Sequence, residues 1–210
     1  MVHQAPHFMT SVFAAIMLIM ELNEPTDGIS ERQAFDEALV MACSAIGVPL
    51  TKAHREQMLE HFQRVIEANR HFNLTRIISP ADAAVKHYAD SLVLLAAPWI
   101  EVSRPLRVLD VGTGAGFPAV PLAIACPQWQ IVAVDGTGKK ARFVAETAAA
   151  LGLANLQVRH SRGEELAGES AGPFDLIVVR AVGKIAEVLH GLRQVISVGT
   201  SVVFYKTDKT

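Results

Sequence analysis

The 210-residue chain has only two cysteines, Cys43 and Cys126, 83 positions apart and in no CxxC pair. That excludes a disulfide framework or a zinc cage and fits a reducing, cytoplasmic setting. Eight histidines are present, but no HExxH spacing puts two on one helix face, so no metal is expected. Charged residues make up 19% of the chain and hydrophobic ones 50%, enough apolar matter for a core and too much for disorder. No apolar run is long enough to span a bilayer: FMTSVFAAIMLIM at 8–20 has 13 residues, against roughly 20 needed. It also lacks the preceding Lys or Arg and the clean cleavage site of a secretory signal. Residues 1–30 read as an extension of unassigned role. A buried or self-associating helix, or translation from a later methionine such as Met20, would explain it. Absent too are the GxxxxGK[ST] phosphate loop and the GxGxxG dinucleotide fingerprint.

The formal net charge of −2 is unevenly spread. Residues 1–50 hold one Arg and six acids, which leaves 18 basic and 15 acidic groups, net +3, in residues 51–210. Overall acidity therefore does not exclude a local basic face. The length suits one main domain with a smaller appendage. ELNEPTDGIS (21–30) reads as a linker. Residues 31–100 are expected to be a helical subdomain. One helix runs to Gly47, and a second is capped by Thr51 with Met58, Leu59, Phe62, Val65 and Ile66 on one face. A third opens at Ser79-Pro80, its cap hydroxyl and first-turn proline in favoured places, and runs to Pro98. From residue 101 to 210 strands alternate with helices. Strands are expected at RVLDV, QIVAVD, LQVRHS, DLIVVR and TSVVFYK. The intervening helices are PAVPLAIAC, KKARFVAETAAALGL, a short EELAG turn and KIAEVLHGLRQVIS. That rhythm predicts an α/β fold: a doubly wound, mainly parallel sheet with helices on both faces.

The first strand runs into VLDVGTGAGFP (108–118), where Gly112, Gly114 and Gly116 alternate. Glycines there let backbone approach a ligand, but GxGxG alone is weakly specific. Two acids sharpen it. Asp110 stands two residues before Gly112, and Asp135 closes the second strand 23 residues after it, where a carboxylate can accept from both ribose hydroxyls. A nucleoside without pyrophosphate fits, and S-adenosylmethionine does so best, with its carboxylate at glycine amides and its ammonium near Asp110. The bland alternative is that both acids merely cap loops.

Six blocks in order carry a family resemblance: NRHFNLTRI, VKHYADSL, DVGTGAGFPAVPLAI, VDGTGKKARFV, HSRGEEL and DLIVVRAV. Over about residues 36–206 the chain resembles the bacterial 16S rRNA guanine-N7 methyltransferases, also called glucose-inhibited division protein B. The resemblance implies a Rossmann-like class I S-adenosylmethionine-dependent methyltransferase that acts on a decoding-region loop of 16S rRNA in the 30S subunit, with no membrane partner and no metal. It assigns the donor site to Asp110, Gly112, Gly114, Gly116, Phe117, Asp135, Gly136, Thr137, Gly163, Glu164 and Arg180. Phe117 could instead be helix-start packing, and Glu164 a first-turn helix acid.

Guanine N7 carries an unprotonated lone pair, so no general base is needed and alignment can supply most of the catalysis. Amino-group methyltransferases commonly carry [DN]PP[FY] after the fourth strand, where this chain has Arg180-Ala181-Val182. Arg180 is the candidate catalytic, positioning residue. It could hold guanine O6, an RNA phosphate or the donor carboxylate. N7 lies in the deep groove of A-form RNA, so a loop or an extruded base is expected as target. Candidates for RNA grip are Arg70, Arg76, Lys86, Lys139, Lys140 and Arg142. His87 and Asp90 are read as structural, and Asn73 and Thr75 as tying their loop to the sheet.

The chain departs from the family pattern in places. Gly136 stands where a serine is common, and Ala119 where a glycine is usual. TSVVFYK becomes a sheet edge where the family continues through a helix and two strands. That edge implies association through residues 201–206 or a longer native protein. Two other readings compete: a class I methyltransferase for another RNA or a small molecule, and a non-catalytic RNA-binding module that keeps the fold.

Overall fold

The computed structural model describes residues 29–163, 165 and 173–205. The apolar stretch at 8–20, most of the linker, Glu164, most of the EELAG turn and Lys206 lie outside them. The chain divides between Val102 and Ser103 into two units.

In the helical unit, α1 (Glu31–Ala45) starts at Ser30, whose hydroxyl accepts from Gln33 N–H at 3.2 Å. It ends where Gly47 (φ 71°) turns the chain left-handed, with Val48 N–H closing onto Cys43 O at 2.9 Å. The Thr51 hydroxyl accepts from His54 N–H at 3.2 Å and caps α2 (Lys52–Asn69). Its buried face holds Met58, Leu59, Phe62 and Val65 as the apolar spacing implies, and also His61. The His61 ring hydrogen-bonds the buried Tyr88 hydroxyl (2.9 Å), and Phe35 packs between Phe62 and Tyr88, with ring centroids 5.3 and 5.1 Å away.

Three expectations are corrected here. The helix from Pro80 is not uniform: α3 (Pro80–Ala83) widens into a π-helix at Ala84–Ala89, regains α geometry at Asp90–Leu92 and tightens to 3₁₀ at Val93–Ala96. Ser79 sits at its N-cap, its carbonyl accepting from Ala83 N–H at 2.9 Å, but its hydroxyl makes no capping bond; Pro80 keeps its expected place. The NLT loop is tied within this unit rather than to the sheet. Asn69 Oδ1 accepts from Leu74 and Thr75 N–H at 2.7 and 3.0 Å, while the Thr75 hydroxyl bonds the His87 ring at 2.8 Å.

The second unit is a five-stranded sheet, every pair parallel: β1 (Arg107–Val111), β2 (Gln130–Asp135), β3 (Leu156–His160), β4 (Leu176–Arg180) and β5 (Ser201–Tyr205). Their order is β3-β2-β1-β4-β5. The helices α4 (Ala119–Ala125), α5 (Gly138–Ala150) and α6 (Ile185–Leu192) connect them. β1, β2 and β4 are buried almost end to end, which is why they read as unbroken apolar runs. Leu109, Val111, Val132, Val134, Ile177 and Val179 face one core, closed by Phe174, Leu192 and Val195. The helix expected over KIAEVLHGLRQVIS stops at Leu192, yet Val195 and Ile196 still pack on that core. Among the described residues β5 pairs only with β4.

Chain order reverses across β1 and β4: the strands after β1 run one way and β4 and β5 the other. Such a switch point opens a crevice at the carboxyl ends of the strands. The turns after Val111 and Arg180 both empty there.

Candidate functional site

The loop after β1 is pinned to β2 by two bonds: Gly112 and Thr113 N–H both donate to Val134 O, at 2.8 and 3.0 Å. Its far side closes on itself, since Thr113 O accepts from Gly116 and Phe117 N–H at 2.8 and 2.9 Å. Gly112, Gly114 and Gly116 have φ of 75°, 60° and 99°, a region L side chains rarely adopt. At Gly112 space is limiting too: a Cβ would overlap Val182 Cγ2, which descends from the turn after β4. That turn is itself unusual, with Ala181 at φ 55° and Gly183 at φ 37°.

Asp135, at the tip of β2 and 7% exposed, is wired into the same loop. Its Oδ2 accepts from Gly114 N–H at 2.9 Å and its Oδ1 from Thr137 N–H at 2.8 Å. A carboxylate oxygen has two lone pairs, so one remains on each for a further donor.

Asp110 is fully buried on the α4 side of β1. Its Oδ2 accepts from Ala119 N–H at 3.3 Å, so the residue that replaces a usual glycine still supplies its backbone donor. Its Oδ1 has no hydrogen-bond partner among the described residues. Burial pushes the carboxyl up to about 7. The Thr113 hydroxyl, the Ala119 N–H and the Arg180 guanidinium pull it down, and the Asp135 charge adds to the rise. Arg180 ends β4 half-buried, its guanidinium carbon 5.9 Å from the Phe117 ring centroid. Phe117 is therefore buried beneath a cation as well as packed at a helix start.

Gly136 and Thr137 are exposed at the rim, and Gly163 is buried after β3. Beside it, Glu165 Oε2 accepts from Arg162 N–H at 2.9 Å and from the Ser161 hydroxyl at 3.1 Å. Those two bonds hold its carboxyl below the usual range, the backbone one foremost. The structure thus brings Asp110, the three glycines, Phe117, Asp135 and Arg180 to one end of the sheet. Sequence reasoning missed Thr113, Val182 and Glu165. Only Glu165 left a signal, an acid a few residues after Ser161 of the kind that caps a turn.

Of the basic candidates, Lys139, Lys140 and Arg142 occupy the start of α5, directly after the Asp135 turn, with Lys139 and Arg142 exposed. Arg70, Arg76 and Lys86 belong to the helical unit. There Arg70 pairs with Glu67 at 2.8 Å and Lys86 with Asp82 at 2.6 Å, and Arg76 is exposed. Among the described residues no group of three His, Cys, Asp or Glu could hold a metal ion, and no helix is long and apolar enough to cross a membrane.

Comparison with known proteins gives this arrangement a family. The family described as GidB, rRNA small subunit methyltransferase G, matches residues 54–210. A ribosomal RNA small subunit methyltransferase G from Solibacter usitatus is 37% identical over 163 residues, covering 76% of this chain and 75% of its own. Its namesake from Levilactobacillus brevis is 36% identical over 174 residues, covering 80% and 71%. Among solved structures, a candidate protein-L-isoaspartate O-methyltransferase from Plasmodium falciparum, in complex with S-adenosyl-L-homocysteine, aligns over 87% of both chains at TM-score 0.50 and 18% identity. A mutant of MtNAS in complex with S-adenosylmethionine aligns over 96% of this chain and 82% of its own, at TM-score 0.51 and 13% identity. The structural likenesses speak for the fold alone.

Proposed function

This chain belongs to the rRNA small subunit methyltransferase G family, and from that premise we propose that it methylates N7 of a guanine in 16S rRNA of the small ribosomal subunit. The observation that carries the reading is the meeting of Asp110, Asp135 and the glycine loop at the switch point, with Arg180 facing them from β4.

The residues present fit S-adenosylmethionine, the methyl donor of the family. When bound, it supplies a methyl group made electrophilic by its sulfonium. The unspent lone pairs of Asp135 suit two ribose hydroxyls, and the partnerless Oδ1 of Asp110 suits an ammonium. Gly163, with Glu164 next to it, is assigned to the adenine side, and Gly136 and Thr137 to the ribose rim. The glycine loop offers backbone without side chains in the way.

N7 needs no proton removed, and no base is required of this site. Its residues have to fix a direction and exclude alternatives. Arg180, held over Phe117, is the positioning residue for the incoming guanine or its phosphate. RNA grip is assigned to Lys139, Lys140 and Arg142, with Arg70, Arg76 and Lys86 from the helical unit. Two lysines in the first turn of α5 sit at the positive end of a helix dipole, where acids would stabilise it. A role in binding phosphate explains a choice that stability does not.

The reaction would take place in the cytoplasm, with the 30S subunit as partner. Association of two copies through residues 201–206 is supported by β5 pairing, among the described residues, with β4 alone. The function is tested by incubating the protein with radiolabelled donor and unmethylated 30S subunits. Label is expected in 16S rRNA; label in protein or small molecules and none in RNA would overturn the reading.

A further inference from the structure

The loops after β1 and β4 meet through a contact that the roles above leave unused. Gly112 has no Cβ, and the space a Cβ would take is filled by Val182 Cγ2 from the turn after β4. The socket is anchored on one side, where Gly112 N–H donates to Val134 O of β2 at 2.8 Å. The knob is anchored on the other: Val182 is half-buried and packs against the core that includes Val111 and Val179. Its neighbours show what that seat demands of the backbone. Ala181 stands at φ 55° before it and Gly183 at φ 37° after it. Ala181 is exposed, so its methyl gains no burial that would offset a left-handed backbone. Such a conformation persists where surrounding contacts over-determine it, and the Val182 seat is such a contact. Arg180, the residue just before, ends β4 with its guanidinium over the Phe117 ring.

We propose that Val182 is a positioning residue for methyl transfer: seated on Gly112, it sets the spacing between the loop after β1 and the turn that follows Arg180. The inference rests on the methyl-transfer reading above. An in-line displacement needs the reacting atoms about 3–3.5 Å apart, and a misplacement of about 1 Å can cost roughly a hundredfold in rate. The parallel register, with Val111 beside Val179, fixes the two strands but not the turns beyond them. Those turns carry glycine at 112, 114, 116 and 183, the residue that restricts the backbone least. Valine suits a spacer there, because two methyls on its β-carbon make the side chain stiff at χ1. With the spacer cut back, Ala181 is free to leave the left-handed region, and the turn relaxes away from the donor loop.

The test separates shape from apolar bulk at this position. Val182→Thr keeps the branched outline and loses apolar character, whereas Val182→Leu keeps the bulk and moves the branch outward. Val182→Ala removes the knob. For each, the single-turnover rate of methyl transfer to unmethylated 30S subunits is measured at saturating donor. The Kd of S-adenosyl-L-homocysteine and the urea unfolding midpoint are measured beside it. Rate should follow shape: Val182→Thr within about threefold of the wild type, Val182→Leu and Val182→Ala about ten- to a hundredfold slower. Kd should stay within about twofold throughout, since Val134 holds Gly112 independently. Stability should follow apolar area instead, with Val182→Leu above Val182→Thr. A packing role alone would order rate and stability alike. The comparison of Thr with Leu stands even if Val182→Ala does not fold. Equal rates for all variants, a Val182→Leu faster than Val182→Thr, or a loss seen in Kd and not in rate overturns the inference and leaves the methylation reading intact. No transfer to RNA by the wild type overturns that reading and this inference with it.

Discussion

Replacing Asp135 by alanine should weaken donor binding by more than the loss of a ribose contact alone. Asp135 sits at the carboxyl end of β2, 7% exposed, and already holds Gly114 at 2.9 Å and Thr137 at 2.8 Å. The direct part is the hydrogen bonding of the ribose hydroxyls to a charge, about 1.5–3 kcal/mol. At about 1.4 kcal/mol per decade this is roughly a ten- to hundredfold rise in Kd. The indirect part is the released Gly114 amide, which frees one wall of the cradle. A ligand change separates the two. In calorimetry, a 2′-deoxy analogue of S-adenosyl-L-homocysteine should bind the wild type more weakly than the parent compound does. With Asp135→Ala the two ligands should bind nearly alike, because the acceptor is gone. If the 2′-deoxy penalty is the same in both proteins, Asp135 is not the ribose ligand. Unchanged affinity for the parent compound would dispose of both parts.

Other expectations follow from the same geometry. Lys139→Ala with Lys140→Ala should lower RNA affinity and flatten its dependence on log salt by about 1.4–1.8 for two lost phosphate contacts, leaving donor affinity unchanged; an unaltered slope places the RNA elsewhere. Gly112→Ala combines a left-handed backbone with overlap onto Val182 and should cost about 2–4 kcal/mol in urea unfolding, part of it recovered in the double variant with Val182→Ala. Burial raises Asp110 from 3.8 to about 7, so its contribution is fully present below about pH 4 and is lost as pH rises through 7. Asp110→Asn should remove that decline, worth at most about 4 kcal/mol by pH 8; stability curves that stay parallel from pH 4.5 to 8 contradict it. Val203→Lys should abolish any self-association through β5, and a wild type that sediments as a monomer at high concentration removes that proposal outright.

Much of this was legible in the sequence because burial writes simple patterns. β1, β2 and β4 are covered on both faces and read as unbroken apolar runs. Gly47 and Thr51 end and begin helices for stereochemical reasons local to them. Where the reading failed, the physics is non-local or repeats a misleading pattern. Val195 and Ile196 continue the apolar spacing of α6 into the same core after the helix has ended, so spacing alone overran Leu192. The π-helix at Ala84–Ala89 shifts backbone bonds without disturbing the apolar face, and left no mark. Asn69, not the more conspicuous Asn73, gathers the loop before α3, because it stands at the end of α2 where free amides return to it. In the site, the glycines and acids could be found from spacing, but Thr113 and Val182 could not. Val182 matters through its approach to Gly112, made between the turns after β4 and β1, which no periodicity encodes.

The central claim is methyl transfer to N7 of a guanine, and the chemistry of that product gives the most direct measurement. A guanosine methylated at N7 carries a positive imidazolium ring, which borohydride reduces and aniline then cleaves. After reaction of this protein with donor and unmethylated 30S subunits, 16S rRNA should break at one guanosine under that treatment, and radiolabel should elute as N7-methylguanosine. Label on an exocyclic amine or a ribose oxygen, with no aniline-sensitive site, would contradict the account.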